Sequence, residues 1–354
     1  VSDLPRAVRP TTISDVARAA GVSVGTVSNV LNNPSIVARS TRQQVEAALR
    51  ATGFVRDARA RSLSGAPATT IGCVLLDVSN PYFAQLARGV EDALADRGCV
   101  AIICSSDFNP SRLSRCLRTL LENRVGGMIL NAVDAVPSEL DAILGTGVPV
   151  VLLDNPGLRD DVCSVTSDNL TGGRLVAEHL FDLGHRRIAL LRHPLRIPVL
   201  EDRITGAHQA ATARGLQPDL VFRDVPFEPS RPEGEVAPAV DAALAGPSPC
   251  TALVCFNDLT ALDALAELHR RDVPVPDAMS VVGYDDLPVA RLLLPALTTV
   301  HQPTNLLGRA AAELVLAETE PDHQHRKAVF TPELVIREST GGSRAAWTQP
   351  SGRQ

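Results

Sequence analysis

From Thr70 onward the sequence alternates apolar runs of four to seven residues with amphipathic stretches of a dozen or more, and this alternation constrains the fold more than any other feature. Short runs rich in valine, isoleucine and leucine read as strands near Ile71–Leu76, Val100–Cys104, Gly127–Leu130, Val148–Leu152, Ile188–Leu191, Ala252–Cys255 and Ser280–Val282. The stretches between them read as helices near Tyr82–Asp96, Ser111–Glu122, Thr171–Asp182, Glu201–Arg214, Leu259–Arg270 and Asn305–Leu316. Strand followed by helix in strict order implies parallel sheets with helices on both faces. About 270 residues is long for one open sheet, so two α/β subdomains with a cleft between them fit better.

The first 55 residues have a different texture. Thr12-Ile-Ser-Asp15 places a capping hydroxyl three residues before an acid, which predicts a helix from about Ile13 to Ala20. Gly21 breaks it, and Ser23 caps a second helix over Val24–Leu31 with Val27, Val30 and Leu31 on one face. A third amphipathic helix, roughly Arg39–Thr52, turns Val45, Ala48 and Leu49 inward. Three short helices, the first two meeting across a tight turn, make an all-α helix-turn-helix head.

Charge separates the same two parts. The chain carries a net charge of −6, yet residues 1–65 hold nine arginines and four acids, a local +5 that leaves −11 for the rest. A short basic head on a long acidic body is the footprint of a nucleic-acid-binding domain joined to something else.

Other classes are disfavoured. No apolar run approaches the ~20 residues of a membrane helix, and the start lacks the charged-then-apolar layout of a secretory signal, so the expected compartment is the cytoplasm and no membrane partner is expected. Seven cysteines form an odd set without a C-x-x-C pair, and Cys73, Cys104 and Cys255 sit in apolar runs, as reduced core thiols do. Gly21-Val-Ser-Val-Gly25 matches a nucleophile elbow in letters only, because that motif needs a preceding strand and here a helix precedes. There is no phosphate loop, dinucleotide fingerprint or H-E-x-x-H, so no catalytic residue, cofactor or metal is expected. His323 and His325, in a charged loop, read as a solvated pair.

The run Thr12-Ile-Ser-Asp-Val-Ala-Arg-Ala-Ala-Gly-Val-Ser-Val-Gly-Thr-Val-Ser-Asn-Val-Leu-Asn32, with Thr41-Arg42 and Val45 behind it, closely resembles the headpiece of the LacI/GalR (lactose-repressor) family. The resemblance continues through Ser79-Asn-Pro-Tyr-Phe83, Ser167-Asp-Asn-Leu-Thr-Gly-Gly173, Leu183-Gly-His-Arg-Arg-Ile188, Asn257-Asp258, Val282-Gly-Tyr-Asp285 and Pro295-Ala-Leu-Thr-Thr-Val-His-Gln-Pro303. It implies a helix-turn-helix DNA-binding headpiece (1–55), a hinge helix and linker (56–68), and a two-lobed α/β effector-binding and dimerisation domain of the type I periplasmic-binding-protein kind (69–340). Residues 341–354, without periodicity, read as a disordered tail.

By the same resemblance Val24, Gly25 and Asn29 read bases, while Ser23, Thr26, Ser28, Asn32, Thr41 and Arg42 hold phosphates. Only Asn29 offers a strong hydrogen-bonding pair among the readers. Ala60 and Leu63 match the hinge residues that enter the minor groove, with Asp57 where the family more often has asparagine and Phe54 where tyrosine is common. Asp77, Tyr82, Phe83, Asp168, Arg203, Phe227, Asn257, Asp258 and Asp285 are the expected effector-binding residues. Ile197 and Val199 stand where purine-responsive members use polar residues, which disfavours a purine effector. The expectation is a homodimeric, effector-controlled regulator, in the main a repressor of sugar or catabolic genes, bound to a near-palindromic double-stranded operator and released by a small carbohydrate-like ligand. The rival readings are a periplasmic-type solute-binding protein, a regulator that needs a non-sugar corepressor, and an enzyme.

Overall fold

The computed structural model describes residues 11–54, 69–131, 137–155, 157, 159–193, 197–226, 236–320 and 322–343. The chain divides into two compact units, Val1–Ala68 and Thr69–Gln354. Among the described residues no helix is long and apolar enough to cross a membrane.

The small unit has three helices, α1 (Ile13–Ala20), α2 (Val24–Asn32) and α3 (Arg39–Thr52). Thr12 and Asp15 form a reciprocal capping box at α1, with the Asp15 carboxylate 3.0 Å from the Thr12 backbone nitrogen. Gly21 ends α1 at φ +61°, a left-handed conformation that glycine adopts without cost. Val16, Val27 and Val45 are fully buried where the three helices meet, with Ala17, Ala20, Val30 and Ala48 around them. The predicted valine face is therefore the core.

The large unit runs β1 (Thr70–Leu75), α4 (Pro81–Ala95), β2 (Val100–Ser105), α5 (Pro110–Glu122), β3 (Met128–Leu130), α6 (Pro137–Leu144), β4 (Val150–Leu153), β5 (Cys163–Ser167) and α7 (Asn169–Asp182). It continues with β6 (Ile188–Arg192), α8 (Pro198–Ala213), α9 (Pro218–Val221), β7 (Phe222–Pro226), α10 (Val236–Leu244), β8 (Ala252–Val254), α11 (Asp258–Arg270) and β9 (Ser280–Val282). The last elements are β10 (Thr299–His301), α12 (Thr304–Ala317), β11 (Lys327–Phe330) and β12 (Glu333–Val335). A parallel six-stranded sheet, ordered β11-β5-β4-β3-β1-β2, forms the first lobe, and a parallel four-stranded sheet, β7-β6-β8-β9, forms the second. The chain passes between them at three places: after β5, between β10 and α12, and between β11 and β12.

Interleaving is the feature that alternation alone does not disclose. Strand β11, late in the chain, returns to pair with β5, and β10 pairs antiparallel with β12 in a small ribbon. Strands β5, β7, β10, β11 and β12 and helices α6, α9 and α10 were not anticipated; β5 and β7 interrupt their apolar residues with serine, threonine, arginine or aspartate. The tail reading also changes. Gly341 and Ser343 are hydrogen-bonded to the body, the Gly341 N–H donating to Ser280 Oγ (3.1 Å), its carbonyl 3.0 Å from His185 Nε2, and the Ser343 N–H donating to Leu183 O (2.8 Å). Residues 344–354 lie outside the described residues.

Each lobe is closed by one pair of helices in backbone contact. On α4 and α12, a methyl at Gly89 would overlap the Asn305 carbonyl, and one at Gly308 would overlap the Leu86 carbonyl. On α7 and α8, Gly173 faces the Arg203 carbonyl and Gly206 faces that of Leu170 with the same lack of room. The glycines are reciprocal, so neither helix can be moved outward without losing both contacts.

Asp258 ties the second lobe to the crossing ribbon. It is fully buried at the start of α11, and its carboxylate accepts from the Leu287 N–H (2.7 Å) and the Thr299 hydroxyl (2.5 Å). Gly283 leaves the space that this carboxylate fills. Burial, aided by the charge of Asp286 and opposed by these two hydrogen bonds, raises its pKa to about 6. A carboxyl whose folded-state pKa exceeds its unfolded value binds its proton more tightly when folded, so its contribution is present at low pH and lost as pH rises through that window. The stability of the large unit is therefore expected to fall between about pH 4 and pH 6, with Asp258 contributing about 2–3 kcal/mol of the fall. Urea titrations of wild type and Asp258→Asn across that range check this: the variant should lose part of the slope, and an unchanged slope would contradict it.

Candidate functional site

The head presents a single polar stripe. Because Val27 and Val30 are held in the core, Gly25, Ser28, Asn29 and Asn32, at helical spacing i, i+3, i+4 and i+7, share the opposite side of α2. Val24, Gly25, Asn29 and Asn32 are exposed, whereas Ser28 and Thr26 are half-buried. Ser23 caps α2, accepting from the Thr26 N–H at 3.1 Å and lying 2.9 Å from the Thr26 hydroxyl; Asn32 Nδ2 donates to Ser28 Oγ at 3.1 Å. The first turn of α2 carries no acid, so its unpaired amides and positive dipole end are open to an anion. Thr41 and Arg42 lie on the first turn of α3, half-buried, with Arg42 Nε 3.7 Å from Glu46. The two hinge residues, Ala60 and Leu63, and Asp57 lie outside the described residues, as does Phe227.

A cavity of about 530 Å³ opens between the two lobes of the large unit. It lies at the carboxyl ends of the parallel strands, where open α/β sheets leave backbone and loop groups free for a ligand. Of the residues expected there, Asp77, Tyr82, Phe83, Arg203, Asn257 and Asp285 line it. Asp168 and Asp258 do not. Asp168 caps α7, accepting from the Thr171 N–H (2.9 Å) and hydroxyl (2.7 Å), and Asp258 is committed to the interior bonds described above.

Arg203 is the best-held group in the cleft. Its Nε donates to Asn169 Oδ1 at 2.8 Å, its Nη1 to the Phe256 carbonyl at 2.7 Å, and its guanidinium lies 3.4 Å from the centre of the Tyr284 ring. Gly172 and Gly173 allow α7 to approach this arrangement, since a methyl at either would overlap Tyr284 or Arg203. Asp285, at φ +112°, accepts from Gln302 Nε2 at 2.8 Å. On the first lobe Tyr82 and Phe83 meet edge to face at 5.0 Å, and Asp77 accepts from both the N–H (2.8 Å) and hydroxyl (2.7 Å) of Ser79.

Asp154 and Asn131 complete the floor and were not anticipated, although both are the first polar residues after a predicted strand. Asp154, at φ +58°, receives Asn131 Nδ2 (3.0 Å), the Tyr82 hydroxyl (3.3 Å) and the Thr166 hydroxyl (3.4 Å). Two aspartates from different loops thus sit at backbone angles that favour glycine, a strain that clusters at ligand clamps. Burial pushes both carboxyls up from the usual range, while the Arg203 charge pulls both down. Five acidic side chains line the cavity (Asp77, Asp154, Asp263, Glu267, Asp285) against two arginines, Arg203 and Arg270. That excess suits a neutral polyhydroxyl molecule and opposes an anion. Ile197, Val199, Phe108 and Phe256 add apolar wall.

Comparison with known proteins agrees with both halves of this description. The profile of bacterial regulatory proteins of the lacI family matches residues 12–57, and that of the periplasmic binding protein-like domain matches residues 177–340. The HTH-type transcriptional repressor PurR of Photobacterium profundum is 34% identical over 338 residues, 93% of this chain and 98% of that protein. The lac repressor dimer bound to operator and the anti-inducer ONPF superposes with a TM-score of 0.79 at 28% identity, covering 94% of this chain and 100% of that one. A LacI family transcriptional regulator from Enterococcus faecium with bound ribose gives a TM-score of 0.70 at 27% identity over 78% of this chain and 100% of that one. With a helix-turn-helix head that matches the family profile, a two-lobed α/β body of the same fold and a full-length repressor relative, the chain belongs to the LacI family of DNA-binding transcriptional regulators.

Proposed function

We propose that the chain is a homodimeric repressor, acting on DNA in the cytoplasm, whose hold on a near-palindromic operator is controlled by a neutral sugar bound between its lobes. The observation that carries the sugar reading is the cleft floor, where Asp154, Asp285, Arg203, Asn131 and Gln302 bring acceptors and donors from both lobes to one cavity. Vicinal hydroxyls both donate and accept, and such a mixed set pairs with them while the Phe83 ring packs on the sugar face. The bound ribose of the Enterococcus regulator supports the class of ligand. Ile197 and Val199, apolar on the cleft wall, favour a sugar over a purine.

The dimer reading is supported by exposed apolar surface that a second copy would cover. The edge strand β2 leaves Val100, Ile102 and Ile103 exposed, and the turn after β9 leaves Leu292 and Leu294 exposed, Leu294 at 95%. Two heads related by a two-fold axis match the two halves of a palindrome. Sugar contacts to both lobes bias their relative pose, and because β1 begins directly after the segment that leads from the head, the pose is passed on to the head through β1.

Within the head, Asn29 reads a base and Arg42 exchanges Glu46 for a phosphate oxygen. Asn29→Ala is expected to cost about 1–3 kcal/mol on the best operator with little change on random duplex. Fluorescence anisotropy on both duplexes distinguishes this from an equal loss on both, which would remove Asn29 from the readers. In the cleft, Asp154→Ala is expected to weaken binding of the responding sugar by about 2–5 kcal/mol, or roughly thirtyfold and more, and to leave operator affinity without sugar unchanged. Calorimetric titration with the pentose or hexose that shifts the melting temperature of wild type provides the readout. Wild-type sugar affinity in the variant would take Asp154 out of the binding set.

A further inference from the structure

At the amino end of β5, away from the cleft, four groups of metal-ligating type converge: Cys163, Glu318, His323 and His325. The topology brings them together. Cys163 opens β5, Glu318 caps the end of α12, and both histidines belong to the segment leading into β11, which pairs with β5 so that Lys327 lies beside Ser164. Of the pair expected from the sequence to be solvated, His325 is 40% exposed, but the His323 side chain is only 8% exposed, and that of Glu318 10%.

Cys163 Sγ lies 3.1 Å from His323 Nε2, His323 Nε2 3.4 Å from Glu318 Oε1, and His325 Nδ1 3.0 Å from the same carboxylate oxygen. One ligand atom from each residue falls within 4.8 Å of every other. Bond lengths of about 2.0–2.3 Å around a tetrahedral zinc ion set its ligand atoms roughly 3.3–3.6 Å apart, so the cluster needs only small adjustments to close on one ion. The Arg326 N–H donates to Cys163 Sγ at 3.2 Å, a backbone bond that fixes the sulfur beside the other three groups. A thiolate, a carboxylate and two neutral imidazoles together carry two negative charges, the complement of a divalent cation.

We propose that Cys163, Glu318, His323 and His325 form a four-ligand site for a divalent transition metal of the zinc class. Sulfur and imidazole exclude calcium and magnesium, which take six or more oxygens. Coordination draws Cys163 as thiolate and its proton leaves to solvent. The half-exposed His325 supplies the path in and out. Occupied, the site fastens the α12–β11 connection to the start of β5, at the sheet end opposite the cleft, so metal and sugar bind without competing for a residue.

The test uses the full chain, stripped with chelator, and zinc chloride as probe in competition with a chromophoric chelator. One zinc per chain is expected, with affinity reduced more than about tenfold in both Cys163→Ser and His325→Ala. Cobalt(II) in wild type should give the intense visible absorption of a tetrahedral ion with a thiolate charge-transfer band, and Cys163→Ser should abolish that band. His325→Ala removes a half-exposed side chain, so its metal-free melting should equal that of metal-free wild type, which keeps the test valid if Cys163→Ser fails to fold. Absence of stoichiometric zinc, unchanged affinity in His325→Ala, or a six-coordinate cobalt spectrum without the thiolate band would overturn the proposal and leave a hydrogen-bonded cluster only.

Discussion

Four glycines set the geometry on which both lobes depend. Wherever two helices touch backbone to backbone, the distance between them is fixed by atoms that cannot rotate away, and here Gly89 with Gly308 and Gly173 with Gly206 impose that contact once in each lobe. An added methyl at any of them meets a carbonyl rather than a flexible side chain, so the helices would have to part. The consequence reaches the cleft directly. Helix α4 carries Tyr82 and Phe83 and α8 carries Arg203, so the two pinned helix pairs place the aromatic wall and the guanidinium that face each other across the cavity.

The cleft is then an electrostatic compromise. Arg203 is spent in part on Asn169, the Phe256 carbonyl and the Tyr284 ring, which hold it still at the expense of donors it could offer a ligand. Asp285 is buried and Asp154 half-buried, and each carboxylate is relieved by neutral donors, Asn131 and two hydroxyls for Asp154 and Gln302 for Asp285. A ligand with several hydroxyls can join such a network without adding charge. Both aspartates also sit at positive φ, so the loops that carry them are held in conformations chosen for the side chain's position.

Much of this was legible from residue patterns, for reasons that differ by region. The head could be read because its signals are local: the Thr12–Asp15 capping box, the left-handed Gly21 and the valine face of α2 each act within one or two turns. Asp77 and Asp285, beyond strand ends, and Arg203, on α8, were legible from the family resemblance, whereas Asp154 and Asn131 carried only their position after an apolar run. Asp168 and Asp258 show the limit of that reasoning, since an aspartate at a helix start reads the same whether it faces a ligand or its own backbone. The pairing of β11 with β5 joins residues more than 160 positions apart, and no local pattern marks it. The same pairing gathers Cys163 with His323 and His325, which is why His323, in a charged segment, looked as solvated as its neighbour His325.

A sugar bound in the cleft as proposed and operator on the head would be coupled through one change of pose. Coupling between two binding equilibria is reciprocal: whatever factor the sugar imposes on operator affinity, the operator must impose on sugar affinity. Sugar titrations by calorimetry on the free full-length protein and on its complex with an operator selected from a random duplex pool measure this directly. Operator-bound protein is expected to bind the sugar about 5- to 150-fold more weakly, with the same factor in operator affinity at saturating sugar. Equal sugar affinity on and off the operator would contradict it.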